Sequence, residues 1–350
     1  MTKARDIADN AGKAGGGGGV NVIVNGAMNL SQRGTSFASV GNVYTLDRFE
    51  MYKQNTSAAF TITQSSVTDL AGFANALKVD CTTADTSLAS NEQAYISHKL
   101  EGQDLQRFQK GHATALGFTL SFYVKTNKTG LYTVSMFDRD NTRKVNGSYT
   151  VADANWNRYT INFPADTTGK FDDDNASSLE IFFNLYAGSD TNTGTLSETW
   201  AASADAGSAT GQVNFADSTS NDWEITGIQL EVGDTATDFE HEPVGVTLSK
   251  AQRYFNYTRH GGTASNAGLS NSYGIYLPQA PMRANPTATA VGNDPLTAAN
   301  FTAYPSGASV SVTINAIFEA ENGNISVRPY VSGNNTYTYM EGFISLDAEL

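Results

Sequence analysis

The chain has 350 residues, of which 16% are charged, 40% hydrophobic and 11% aromatic, and its 22 basic against 35 acidic side chains give a net charge of −13. That length supplies about two ordinary cores, and the hydrophobic share argues against intrinsic disorder. A nucleic-acid binder needs a basic footprint, and neither the acid excess nor any Lys/Arg cluster provides one; anionic membrane surfaces are disfavoured for the same reason.

Residues 1–14 have the spacing of a short helix, with Ala4, Ile7, Ala8 and Ala11 on one face and Lys3, Arg5, Asp6 and Asp9 around it. Alone, so short a helix is unstable in water, so it is either a frayed terminus or an anchor that folds on a partner. Gly15 to Gly19 follow as a hinge, rich in backbone entropy and without packing side chains. The stretch holds no apolar core of signal-peptide length, and no run reaches the roughly 18 apolar residues of a membrane span. The expectation is a chain made in the cytosol and not inserted in a membrane.

From Val20 onward, strand-like alternation dominates. Phe118, Leu120, Phe122 and Val124 point one way, and Thr119, Ser121, Tyr123 and Lys125 the other. Similar alternation runs through 131–137 and 156–163, and Leu179, Ile181, Phe183 and Leu185 form a further apolar stripe. In 223–232, Trp223 and Ile225 are followed by Ile228, Leu230 and Val232, a phase slip that predicts a bulge near Gly227. Turn residues separate these runs, so an antiparallel β-sandwich is expected. Residues 188–222, rich in Ser, Thr, Asp, Ala and Gly, read as a long loop over the sandwich. Val246, Leu248, Ala251, Tyr254 and Phe255 predict a helix over 245–260, and strands resume beyond Gly261 at 273–277, 286–291, 308–319, 324–331 and 335–347. The predicted organisation is an N-terminal segment (1–19), a β-domain (20–244), a linking helix (245–261) and a second, smaller β-domain (262–350).

Catalytic signatures are sparse. His98, His112, His241 and His260 include no H-x-x-x-H pair, and neither a P-loop nor a G-x-S-x-G elbow is present. The single cysteine, Cys81, reads as a small buried apolar residue. Asp172, Asp173 and Asp174 are oxygen ligands of the kind calcium takes, but contiguous acids more often mark a solvated turn. Aromatic rings off the core stripes are more informative. Phe182 and Tyr186 fall opposite the stripe of their strand with Glu180 and Asn184, and Tyr123 falls opposite the stripe of its own. Rings beside carboxylate and amide groups suit a sugar, which offers an apolar face and hydroxyls. The alternative is that the same rings lie beneath the 188–222 loop or in a subunit interface.

Several strings carry a resemblance: NVIVNGAMNLSQR (21–33), VYTLDRFE (43–50), LGFTLSFYVK (116–125), TGLYTVS (129–135), NWNRYTINF (155–163), DWEITGIQLEVG (222–233) and DFEHEPVGVTLSKAQRY (238–254). Together they are similar to the jelly-roll, carbohydrate-binding-module-like domain of phage tail fibres and other virion appendages, over residues 20–257. The N-terminal TKARDIADNAG resembles the segment that attaches some fibres to the particle, which marks Lys3, Arg5 and Ile7 as anchor residues. The closing FISLDAEL resembles the ends of such proteins. The chain lacks the heptads or collagen triplets of a long shaft, so the resemblance is to a short fibre or surface decoration.

The resemblance implies a mainly β protein: a jelly-roll sandwich, a smaller C-terminal β-domain and a short helical anchor. It implies a homotrimer on the external surface of a virion, held to other virion proteins by its N-terminus and attached without catalysis to host-surface polysaccharide. Related modules often carry a structural calcium where the first and last strands meet, which points to Asp47, Glu50, Asp238 and Glu240. Arg48 or Arg253 paired with these acids is the alternative. Rival functions are an architectural adaptor or capsid decoration without glycan binding, and a polysaccharide depolymerase.

Overall fold

The computed structural model describes residues 21–264, 272–276, 281–284, 286–292, 300–304, 308–311, 313–320, 324–330 and 339–350. The anchor residues Lys3, Arg5 and Ile7 and the hinge Gly15 to Gly19 lie outside the described residues. Contacts divide the chain into two units: one reaches Pro243 and takes in Leu350, and the other spans Val244–Glu349.

The strands of the first unit, in chain order, are Ser36–Ala38 (β1), Val43–Tyr44 (β2), Phe49–Gln54 (β3), Ala59–Ser66 (β4), Asn75–Thr83 (β5), Gln93–Glu101 (β6), Phe118–Thr126 (β7), Gly130–Asp138 (β8), Arg143–Val151 (β9), Asn157–Phe163 (β10), Ser177–Ala187 (β11), Ala201–Ala202 (β12) and Asp222–Val232 (β13). They form a six-stranded sheet in the order β1-β4-β5-β13-β7-β10 and a seven-stranded sheet in the order β12-β9-β8-β11-β6-β3-β2. The pairings in both are antiparallel, and successive strands cross repeatedly from one sheet to the other, as in a jelly-roll sandwich.

The alternation in the sequence explains how the sheets pack. The inward stripes Phe118, Leu120, Phe122 and Val124 of β7 and Leu179, Ile181, Phe183 and Leu185 of β11 are all buried in one core cluster. Across the sandwich, the Phe183 ring centroid lies 5.3 Å from that of Phe122 in a T-shaped contact and 6.5 Å from that of Trp223. Tyr149 of β9 closes the same seam at 5.1 Å from Phe122. Burying such rings is the main driving force of this unit.

The phase slip in β13 is present: its register against β7 shifts between Thr226 and Gln229, around Gly227. Gly227 has φ +63°, and a Cβ there would stand 2.8 Å from the Phe73 ring and 2.9 Å from that of Tyr123, so only glycine fits. The segment between β11 and β13 does lie over the sandwich. Gln212 accepts hydrogen bonds from the Thr133 amide at 2.7 Å and its hydroxyl at 2.9 Å, and Asn146 donates to the Ser197 carbonyl at 3.0 Å.

In the second unit, a helix over Val244–Gln252 (α1) is followed by the strands Phe255–Ala264 (β14), Ser272–Tyr276 (β15), Thr287–Gly292 (β16), Asn300–Tyr304 (β17), Ala308–Ser311 (β18), Thr313–Ala320 (β19), Asn324–Tyr330 (β20) and Tyr339–Asp347 (β21). Their order is β18-β17-β21-β14-β15-β20-β19, with β16 also on β21. The helix is shorter than its spacing suggested. Phe255 to His260 also alternate at period two, and pairing of β14 with β21 from Phe255↔Asp347 to Gly262↔Met340 supplies backbone hydrogen bonds that outweigh helical propensity.

Candidate functional site

The outer face of the seven-stranded sheet carries a row of aromatic rings. Tyr52 of β3 sits directly opposite Tyr95 of β6, and their rings stack at 4.6 Å and 14°. Tyr95 then meets Phe182 of β11 at 4.4 Å, and Phe182 meets Phe137 of β8 at 6.3 Å. These four side chains are half-buried, and their inward-facing neighbours Met51, Ile96, Phe183 and Met136 fill the core. The row crosses three strand-to-strand steps, roughly 14 Å at the usual sheet spacing.

Polar groups border the rings on both sides. Toward one end of the strands, Lys99 Nζ donates to Glu50 Oε2 at 2.8 Å, and Arg139 Nε donates to Glu180 Oε2 at 2.8 Å. Burial pushes the Glu180 carboxyl above its ordinary range, against the pull of Arg139 and Lys99. Toward the other end, Tyr52 Oη and Gln93 Nε2 donate to Gln54 Oε1 at 3.2 and 2.8 Å, and Asn184 Nδ2 donates to Thr133 Oγ1 at 3.0 Å. Arg139 and Lys144 stand 5.7 and 5.8 Å from the Phe137 ring. Burial, and then the nearby Glu180 charge, raise the Tyr95 phenol, so it stays a neutral hydroxyl. An apolar strip flanked by hydroxyl, amide and paired charges is the composition of a site for a neutral, hydroxyl-rich ligand.

The sequence-derived ring set is corrected in three ways. Tyr186 is fully buried in the core, 6.1 Å from Phe60, because the register of β11 against β6 shifts between Asn184 and Tyr186 and turns this residue inward. Tyr123 lies on β7 in the other sheet, where Phe73 covers it at 5.2 Å and Arg158 approaches its ring at 6.0 Å; it shares no surface with Phe182. Phe182 is at the site, and Glu180 and Asn184 border it, but both polar groups are buried and bonded to Arg139 and Thr133. Tyr52, Tyr95 and Phe137 were missed, although the rule that picked out Phe182 applies to them: Phe49 and Met51 alternate with Tyr52, and Ala94, Ile96 and His98 alternate with Tyr95.

The four carboxylates considered for calcium do not converge. Asp47 is buried in the turn before β3, where it accepts hydrogen bonds from Gln32 N and Nε2, both at 2.6 Å. Glu50 is taken by Lys99, and Glu240 accepts from the Asn21 amide at 2.8 Å. Among the described residues no three Asp, Glu, His or Cys side chains gather as a metal site. The expected meeting of first and last strands does not bring them together: Glu50 lies on β3 of the seven-stranded sheet, Asp47 in the turn before it, and Asp238 beyond β13 of the six-stranded sheet. Arg48 donates to the Lys99 carbonyl at 2.6 Å.

No family model matches this chain, and no curated protein matches it. Among solved structures it is similar to a xylan-binding domain from Paenibacillus barcinonensis, at 12% identity over 57% of this chain and 94% of that one, with a TM-score of 0.29. It is also similar to a family 11 carbohydrate-binding module from Clostridium thermocellum, at 12% identity over 59% and 98%, TM-score 0.30. A cyclase from Fischerella sp. TAU is similar at 10% identity over 63% and 100%, TM-score 0.34.

Proposed function

We propose that this chain is a virion appendage protein that attaches to host-surface polysaccharide, without catalysis, through the outer face of the seven-stranded sheet. The observation that carries the binding role is the row Tyr52–Tyr95–Phe182–Phe137, four half-buried rings on adjacent strands of a face the core does not use. Ring carbons would meet the C–H faces of sugars, and Tyr hydroxyls with Gln54, Gln93 and the Glu50–Lys99 pair would meet their hydroxyls. The virion setting rests on the resemblance of residues 20–257 to fibre domains. In that setting the N-terminus holds the particle, and a homotrimer presents three rows that gain avidity together.

The test is binding of the purified full chain to immobilised host-surface polysaccharide, with Phe182→Ala and Tyr95→Ala alongside. Binding by the natural chain that drops at least tenfold in both variants, with folding retained, is the expected result. Equal binding by all three would move the site off this sheet. Release of reducing ends from the same polysaccharide would replace attachment with depolymerisation, and normal particle incorporation of a chain lacking residues 1–19 would remove the anchor.

A further inference from the structure

At the end of the sandwich that carries the Glu180–Arg139 pair, a lysine is sealed inside the protein. Lys110 lies in the loop between β6 and β7, and its side chain is 2% exposed. Its Nζ stands 2.5 Å from Oδ2 of Asp138, which is 0% exposed at the end of β8, and 3.1 Å from Oδ2 of Asp166, 5% exposed in the loop after β10. The Phe171 and Trp200 rings lie 5.1 and 4.8 Å from the same nitrogen. The Thr168 and Gly169 carbonyls accept from it at 3.2 and 2.7 Å. Asn141 donates to Asp138 Oδ1 from its backbone amide at 3.0 Å, and its side-chain amide donates to Oδ1 at 3.2 Å and to Oδ2 at 3.0 Å. Arg143 clamps Asp166 through Nε at 2.9 Å and a terminal nitrogen at 3.1 Å.

We propose that Lys110 and Asp138 condense spontaneously into an intramolecular isopeptide bond, with Asp166 carrying the proton.

The amine and the carboxyl group are held in contact before reaction, so a bimolecular step becomes unimolecular. The Phe171 and Trp200 rings and the buried carboxylates keep bulk water away from the reacting pair. The Lys110 ammonium passes one proton to the Asp166 carboxylate, which hands it to Oδ2 of Asp138, so that a neutral amine faces a neutral carboxyl group. The amine attacks Cγ of Asp138 and forms the C–N bond, and the charge that develops on Oδ1 is met by the Asn141 backbone amide. Asp166 then takes a second proton from the nitrogen and delivers it to Oδ2, and the C–Oδ2 bond breaks with release of water. One ammonium and one carboxylate are consumed, one amide and one water are made, and nothing is oxidised or reduced. Arg143 keeps Asp166 in the carboxylate form that this role requires. Burial opposes ionisation of Asp166, but hydrogen bonds from Arg143, the Thr168 amide and Lys110 together bring its carboxyl below the ordinary value. The product ties the loop before β7 to the end of β8 in a chain whose single cysteine cannot make an internal disulfide.

The experiment is intact-mass measurement of the purified, folded full chain, followed by proteolysis and peptide sequencing by mass spectrometry. The expected chain is one water lighter than its sequence, with a branched peptide joining Lys110 to Asp138. Asp166→Ala, verified as folded by circular dichroism, should keep the full sequence mass. A natural chain of full sequence mass after prolonged incubation overturns the proposal whatever the variant does. A lost water without the branched peptide, as from an aspartate cyclised elsewhere, overturns it equally.

Discussion

Phe182 and Phe183 are consecutive on one strand and face opposite sides of it, so truncating each should have opposite consequences. Phe183 is 1% exposed and packs across the sandwich against Phe122 and Trp223. Phe183→Ala removes a large buried ring and leaves a cavity that two sheets cannot close, at a cost of about 3–5 kcal/mol. Phe182 is half-buried and touches Tyr95 and Phe137. Its removal forfeits two ring contacts of about 0.5–1.5 kcal/mol each, and water fills the space, so Phe182→Ala should cost about 1–3 kcal/mol. Urea melts of both variants give the stability difference, and polysaccharide binding under native conditions gives the functional one. Phe183→Ala should lose stability and, where still folded, keep binding; Phe182→Ala should lose binding and keep most of its stability. Equal stability losses, or a loss below about 1 kcal/mol for Phe183→Ala, would refute the facing assigned to β11.

Tyr186→Ala should behave like Phe183→Ala rather than Phe182→Ala, with a loss of about 3–5 kcal/mol in the same melts, because Tyr186 is in the core; an unchanged midpoint would restore it to the surface. Acid should weaken the fold through His98. Burial, and then the nearby Arg48 charge, hold its imidazole well below the ordinary value of 6.5, so the folded state resists protonation. Its contribution is complete above pH 6.5 and is lost as pH falls from there toward the folded value, at up to about 1.4 kcal/mol per pH unit. His98→Phe, which keeps the ring beside Phe49, should flatten the stability profile between pH 6.5 and 5; an identical slope in both chains would show that other groups set it.

The inward stripes could be read from the sequence because period-two alternation is a direct consequence of strand geometry. The bulge at Gly227 could also be read, since the apolar phase changes there and a glycine marks the place. The shift between Asn184 and Tyr186 had no such mark: Leu185 and Tyr186 are both large, and no Gly or Pro interrupts FFNLYA. Alternation also carries no information on which strands become neighbours. Tyr123 and Phe182 satisfied the same facing rule yet belong to different sheets, because pairing is decided by register and packing over the whole sandwich. The ring row needed that missing step. Each of Tyr52, Tyr95 and Phe137 is an ordinary outward residue on its own strand, and they become one surface only through the order β8-β11-β6-β3.

The Glu180–Arg139 pair sets a further consequence beside the ring row. Glu180 is 2% exposed, while the Arg139 side chain is 43% exposed, so a buried carboxylate depends on a partner that reaches in from solvent. Burial already raises the Glu180 carboxyl, and Arg139 is the first group opposing that rise. Arg139→Met should therefore lift it further. A carboxyl with a raised folded value binds its proton more readily in the folded chain than in the unfolded one. The variant should thus be nearly as stable as the natural chain below about pH 4.5 and lose ground as pH rises through the folded value. Breaking a fully buried pair costs about 3–5 kcal/mol, and water around Arg139 screens part of this, so the loss near neutral pH should be about 1–3 kcal/mol. Adding Glu180→Gln removes the stranded charge and should recover most of that loss while abolishing its pH dependence. Urea melts of the natural chain, both single variants and the double variant at pH 4 and pH 7 complete the cycle. A loss in Arg139→Met that is equal at the two pH values, or that Glu180→Gln fails to recover, would mean that Arg139 acts by packing on Phe137 rather than by holding the buried charge.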